Sequence, residues 1–195
     1  MKKILSFGAL IVLILSVSCS KNKTSSNPKI TGDLSGLPAW VIDPSVSEGI
    51  GAVGISGPSS GGIKFQIPKA ELDAKANIAA TIQSEISRVT KSSLRSADIN
   101  NNDDVEDFFA QATKEVVKNI PLSGIKRLAI FKGNDGSLYV HMALTNEDYS
   151  EFLKNSQKTF EARSKKLDIG RENINKTQEA TKELFDELDK ERINK

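Results

Sequence analysis

The chain has 195 residues, 27 Lys plus Arg against 25 Asp plus Glu, with 38% hydrophobic and 27% charged residues. Lys2 and Lys3 stand in what reads as a cleaved leader, so the rest balances at 25 against 25 and offers no clustered basic face of the kind nucleic-acid binding needs. One cysteine and one histidine exclude an internal disulfide and largely exclude Cys/His catalysis and multi-histidine metal sites.

Met1-Lys2-Lys3 followed by the apolar run Ile4 to Leu15 has the pattern of a secretion signal. The run is 12 residues, short of the roughly 20 that a membrane-spanning helix requires. Ser16-Val17-Ser18-Cys19 resembles a lipobox, with Ser16 where leucine is usual and Leu15 one residue further out. The expectation is cleavage before Cys19 and lipid on that cysteine, a durable anchor because each buried methylene contributes about 0.8 kcal/mol. The alternative is an ordinary signal peptide that leaves a free thiol. Ser20, in place of the aspartate of an inner-membrane retention signal, favours the outer membrane of a two-membraned host. Residues 1–18 are thus read as signal peptide and 19–36, rich in Ser, Asn, Lys, Thr and Gly, as a lipidated flexible tether.

Folded structure is expected from Leu37. Trp40, between Pro38 and Pro44, predicts an extended segment packing its indole into the core. Ile50 to Ile55 reads as a first buried strand, ended by the Gly/Pro/Ser cluster Ser56 to Gly62, itself read as a flexible loop. With Pro68 in its first turn, a helix is predicted from Lys69 to Val89 on the spacing of Leu72, Ala76, Ala79, Ile82, Ile86 and Val89, its alanines allowing close approach to a sheet. After a polar break from Ser92 to Asp104, Val105, Phe108, Phe109, Ala112, Val116, Val117 and Ile120 predict a second helix stopped by Pro121. Ile125 to Lys132 and Leu138 to Thr145 flank Gly133-Asn134-Asp135-Gly136, a hairpin signal, with Val140, Met142 and Leu144 on one face and Tyr139, His141 and Ala143 on the other. Strand, helix, helix, hairpin gives an α+β fold: a small antiparallel or mixed sheet with helices on one face.

Beyond Asn146, Leu153, Phe160, Leu167, Ile174, Thr181 and Leu188 fall seven apart, while Ser156, Arg163, Gly170 and Thr177 interrupt the companion seam. One thin stripe predicts a long helix, bent or broken near Gly170, that lies on its own domain or pairs weakly with a partner. A solvated charged helix is the alternative.

Few residues carry a signal for chemistry. A Ser-His-Asp triad would have to use His141, whose strand position instead predicts a plain surface or satisfied sheet histidine. The loop Gly54 to Gly62 lacks the Gly-Lys-Ser/Thr ending of a phosphate-binding loop. Asp98 to Asp104 alternates oxygen side chains, but Asp103 and Phe109 stand where an EF-hand places glycine and glutamate, so the reading is a solvated loop with Asp103 or Asp104 as N-cap. No cofactor or metal is expected.

Leu37-Pro38-Ala39-Trp40-Val41, Gly51-Ala52-Val53-Gly54, the alanine-rich helix Ala70 to Val89 and the late strand with Tyr139-Val140 together resemble the Lpp-twenty family of outer-membrane lipoproteins, from about Leu37 to Tyr149. The resemblance implies a β-α-β-β core of dodecin-like and Tip-alpha-like outline over residues 37–146, followed by a charged helical extension at 147–195. It singles out Trp40, Val53, Gly54 and Tyr139 as the fold's signature and implies no enzymatic activity. It also implies kinship with flagellum-associated lipoproteins that form ring or disk assemblies. The expectation is a non-catalytic lipoprotein held to the outer membrane through Cys19, a structural or protein-interaction component of the envelope with a protein partner or self-association; a flagellar role is one form of it. The alternative is a periplasmic lipoprotein that binds a small ligand or glycan through the loop Ser56 to Gly62 and the open sheet face.

Overall fold

A computed structural model describes residues 34, 36–96, 103–166 and 171–193. The predicted leader, Cys19 and nearly all of the 19–36 segment lie outside the described residues, as do positions 98–102 of the acidic loop, Leu167 and the predicted break at Gly170.

The elements are α1 (Ala39–Ile42), β1 (Gly49–Ser56), α2 (Ile63–Ser96), α3 (Asp103–Lys118), β2 (Lys126–Lys132), β3 (Leu138–Thr145), α4 (Asn146–Ser164) and α5 (Arg171–Ile193), with a 3-10 turn at Leu122–Gly124. The strands form one antiparallel sheet in the order β1-β3-β2. The fold is therefore mixed α+β, as expected. Gly136, at φ +83°, turns the predicted hairpin, and the Asp135 carboxylate is held below the ordinary range by the Ser137 hydroxyl and N–H it accepts from, at 2.7 and 3.0 Å.

The structure corrects three expectations. Trp40 lies in no extended segment. The chain makes a single helical turn, closed by Val41 N–H to the Pro38 carbonyl and Asp43 N–H to the Ala39 carbonyl, each at 2.9 Å, and Trp40 is only half-buried. The helix after the loop begins at Ile63, so Pro68 sits inside it rather than in its first turn. A tertiary clamp holds that early turn: Gln66, 2% exposed, donates through Nε2 to the carbonyls of Gly57 (3.0 Å) and Gly136 (2.8 Å). The same clamp pins the loop 57–62 to the β2–β3 turn.

The buried stripe of α2 also differs from expectation. Its first half buries Ala70, Ala74 and Ile78, not Leu72 and Ala76, and Leu72 is 69% exposed. Gly54 explains the choice. A Cβ at that position would stand 1.9 Å from the Ala70 carbonyl oxygen and 2.3 Å from the Ala74 nitrogen, so helix and strand backbones touch there, and only a face of alanines allows it. Ile82, Ile86 and Val89 are buried as predicted.

One apolar cluster joins the inner sheet face (Leu138, Val140, Met142, Leu144) to α2, to Phe109 and Val116 of α3, and to Phe152, Phe160, Leu184 and Leu188 of α4 and α5. Helix α5 packs on α2 and α4, and Arg88 of α2 pairs with Glu191 of α5. Of the seven-residue stripe, Leu153, Phe160, Thr181 and Leu188 are buried and Ile174 is half-buried. Thr177, a supposed gap in the companion seam, is buried as well: its carbonyl accepts the Thr181 hydroxyl at 2.7 Å. The charged tail thus lies on its own domain.

Candidate functional site

The sheet has two unlike faces. Even-numbered residues of β1 face α2, whereas Gly51, Val53 and Ile55 point to the opposite, outer face, where the register pairs them with Ala143, His141 and Tyr139. Beyond β3, Ala129 pairs with His141 and Phe131 with Tyr139. Of the four signature residues, Trp40, Val53 and Tyr139 therefore share the outer face, and Gly54 lies on the inner one. Cys19 lies outside the described residues.

Residues 39–46 form a strap over part of that outer face. Trp40 stacks on His141 with ring centroids 5.4 Å apart and planes 5° from parallel. The Pro44 carbonyl lies 2.9 Å from His141 Nε2, and a Cβ on Gly51 would come within 2.0 Å of the same oxygen, so the strap sits against the sheet backbone. The carbonyl can only accept, so Nε2 carries the proton and donates. His141, 6% exposed, is the satisfied sheet histidine the sequence predicts, and the nitrogen that a Ser-His-Asp arrangement would use as base is engaged as a donor. Beside it, Asp43 accepts the Ser45 N–H at 3.1 Å, and its carboxylate is held below the ordinary range by the Ser45 hydroxyl and N–H.

The strap leaves the next cross-strand row open. Ile55, Tyr139 and Phe131 run across the three strands, with Ile55 49% exposed and the two rings half-buried, their centroids 6.1 Å apart. Ile42, 42% exposed, stands on the strap. A mixed apolar and aromatic face with a polar surround is the usual composition of a docking surface.

Neither sheet edge invites strand addition. On β1, the Ile55 N–H donates to Asp73 Oδ2 (2.8 Å) and the Val53 carbonyl accepts from Asn77 Nδ2 (2.9 Å), so two α2 side chains satisfy the edge. On β2, the register shifts between Arg127 and Ala129, and Lys126, Arg127 and Lys132 are exposed; an irregular, cationic edge discourages strand addition. Gln66, Asp73, Asn77, Ile55 and Phe131 are not legible as site residues in the sequence, because their roles depend on helix phase and cross-strand register.

A second concavity, about 450 Å³, lies between α3 and α4. Asn119, Ser123, Asn155 and Thr159 line it with Glu115 and Glu151, above Phe152 and Phe160, and Arg163 pairs with Glu115 at 2.6 Å. Among the described residues, no group of three or more His, Cys, Asp or Glu side chains is placed to hold a metal ion, and no helix is long and apolar enough to cross a membrane.

No protein-family model matches the chain, and no curated protein matches it.

Proposed function

We propose that this protein is a non-catalytic lipoprotein, held to the outer membrane through lipid on Cys19, whose α+β domain docks a protein partner or a second copy of itself through the outer sheet face. The order β1, α2, α3, β2, β3 supports the finer reading of a dodecin-like β-α-β-β core of Lpp-twenty type. The observation that carries the docking role is the open row Ile55, Tyr139 and Phe131, apolar across all three strands and left bare by the strap. Flagellar assembly is one setting for such docking and rests on the resemblance alone.

Among the described residues the core lies between Ile50 and Leu188, so residues 37–195 are used for solution work. Sedimentation of that protein alone and with an envelope extract is expected to give a larger species, which Ile55→Asp abolishes without altering the thermal melt. Identical sedimentation of both proteins under all conditions contradicts the reading.

The α3–α4 cleft favours a second reading, a lipoprotein that binds a small polyhydroxylated ligand, since amides, hydroxyls and carboxylates converge over an apolar floor. Thermal-shift titration with soluble glycans tests it: a true ligand raises the melting temperature with concentration.

A further inference from the structure

The most exposed large hydrophobic residues of the described chain are Leu72 (69%) and Phe65 (68%), both on α2. Seven residues apart, they lie on one side of the helix, opposite Gln66, Ala70 and Ala74, which face the sheet. Pro68 and Ala76 are exposed between and beside them. Nothing among the described residues explains an apolar stripe on the solvent side of a helix whose other side already supplies the core.

Charge distribution points to what covers it. From Lys64 to Gln83 the helix carries three lysines, Lys64, Lys69 and Lys75, and two acids, Glu71 and Asp73. Both acids are engaged by the sheet at the flanks of the helix: Glu71 Oε1 lies 2.7 Å from Arg127 Nη1 of β2, and Asp73 accepts the Ile55 N–H of β1. The outer side therefore presents two large apolar side chains bordered by lysines, with both carboxylates of this stretch engaged elsewhere. That is the pattern of an interfacial helix, in which lysine stems cover apolar surface and their ammonium groups reach phosphates.

We propose that the outer side of the first half of α2 rests on an anionic phospholipid surface, Phe65 and Leu72 entering the acyl boundary and the three lysines meeting the headgroup phosphates. The proposal rests on the anchor reading for the nearness of that surface. The 17 residues from Ser20 to Gly36 span at most about 60 Å, so lipid on Cys19 keeps α2 within reach of the bilayer. It also gives the domain an orientation: with α2 down, the sheet's outer face and its row Ile55, Tyr139 and Phe131 point away from the membrane, toward a partner.

The test uses the full protein, purified from membranes and reconstituted into vesicles. A Leu72→Trp variant, exposed at the altered position, reports contact with brominated acyl chains; Trp40, on the far side of the sheet, is the internal reference. In brominated phosphatidylcholine containing phosphatidylglycerol, Leu72→Trp is expected to lose roughly half of its added emission, while the wild-type Trp40 signal stays unquenched. Quenching should vanish in pure phosphatidylcholine and when Lys64, Lys69 and Lys75 are replaced together by Gln. Equal emission with and without bromine overturns the proposal, as does quenching indifferent to phosphatidylglycerol. If the added indole of Leu72→Trp is shielded from aqueous iodide yet untouched by bromine, a second copy covers the stripe, and the proposal is again overturned. The mass of the N-terminal peptide separates the two readings: lipid on Cys19 without quenching leaves the anchor and removes the docking on the bilayer, whereas an unmodified Cys19 removes the anchor whatever α2 does.

Discussion

The indole of Trp40 lies flat on the imidazole of His141, 97 residues from the Pro44 carbonyl that the same imidazole holds. A four-residue helical turn with no buried residue of its own is thereby fixed to the central strand. The strap decides which part of the outer sheet face is covered and which is left open.

Trp40→Ala should release that strap. With Trp40 half-buried rather than in the core, the expected loss is about 2 kcal/mol in urea unfolding. Native-state hydrogen exchange should show faster exchange at residues 39–46, with the α2–β1 interface still protected.

Gly54→Ala should be among the most damaging single changes, because the new methyl would overlap the backbone of Ala70 and Ala74 rather than a movable side chain. More than about 3 kcal/mol is expected. Gly57→Ala, where the methyl meets nothing within 4 Å, is the matched control and should leave the melting temperature unchanged.

Gln66→Leu keeps the volume but leaves the Gly57 and Gly136 carbonyls without their donor. About 2 kcal/mol should be lost, and limited proteolysis should cut first in the loop 57–62, which the clamp otherwise holds to the hairpin turn.

Tyr149 carries a buried hydroxyl with no hydrogen-bond partner among the described residues. Burial, with a smaller contribution from Glu191, pushes its pKa up from 10.0 to about 12. Below pH 10 the phenol is neutral in both the folded and unfolded chain. Between pH 10 and about 12 the unfolded chain ionises first, so the folded state loses up to about 2–3 kcal/mol across that window. Tyr149→Phe should remove this alkaline loss and leave neutral-pH stability equal or higher. The difference between wild-type and variant unfolding curves isolates it from groups common to both.

The hairpin, the first strand and the second helix are legible in the sequence because each has a strong local pattern: glycine, asparagine and aspartate between β-rich runs, or apolar residues at helical spacing around Phe108 and Phe109. The phase of α2 is not. Its first half is apolar on two sides, Ala70-Ala74-Ile78 and Phe65-Leu72-Ala76, and only the contact with Gly54 decides which is buried. The turn at Trp40 escapes notice because flanking prolines suit extended chain equally well. The tail looks thinly apolar because Thr177 counts as a gap in a sequence, yet Thr177 and Thr181 both bury completely, the Thr181 hydroxyl donating to the Thr177 carbonyl. Of the candidate site, Trp40, Val53 and Tyr139 can be named individually. Their meeting on one face follows from strand register, which no local pattern specifies.

The proposal that lipid on Cys19 holds the folded domain at a membrane is tested most directly by intact-mass and peptide mass spectrometry of the protein isolated from membranes. The predicted result is an N-terminal peptide beginning at Cys19 and carrying diacylglycerol, with lipid labelling and leader cleavage both lost in Cys19→Ser. An N-terminal peptide with an unmodified Cys19, or labelling that persists in Cys19→Ser, would contradict it.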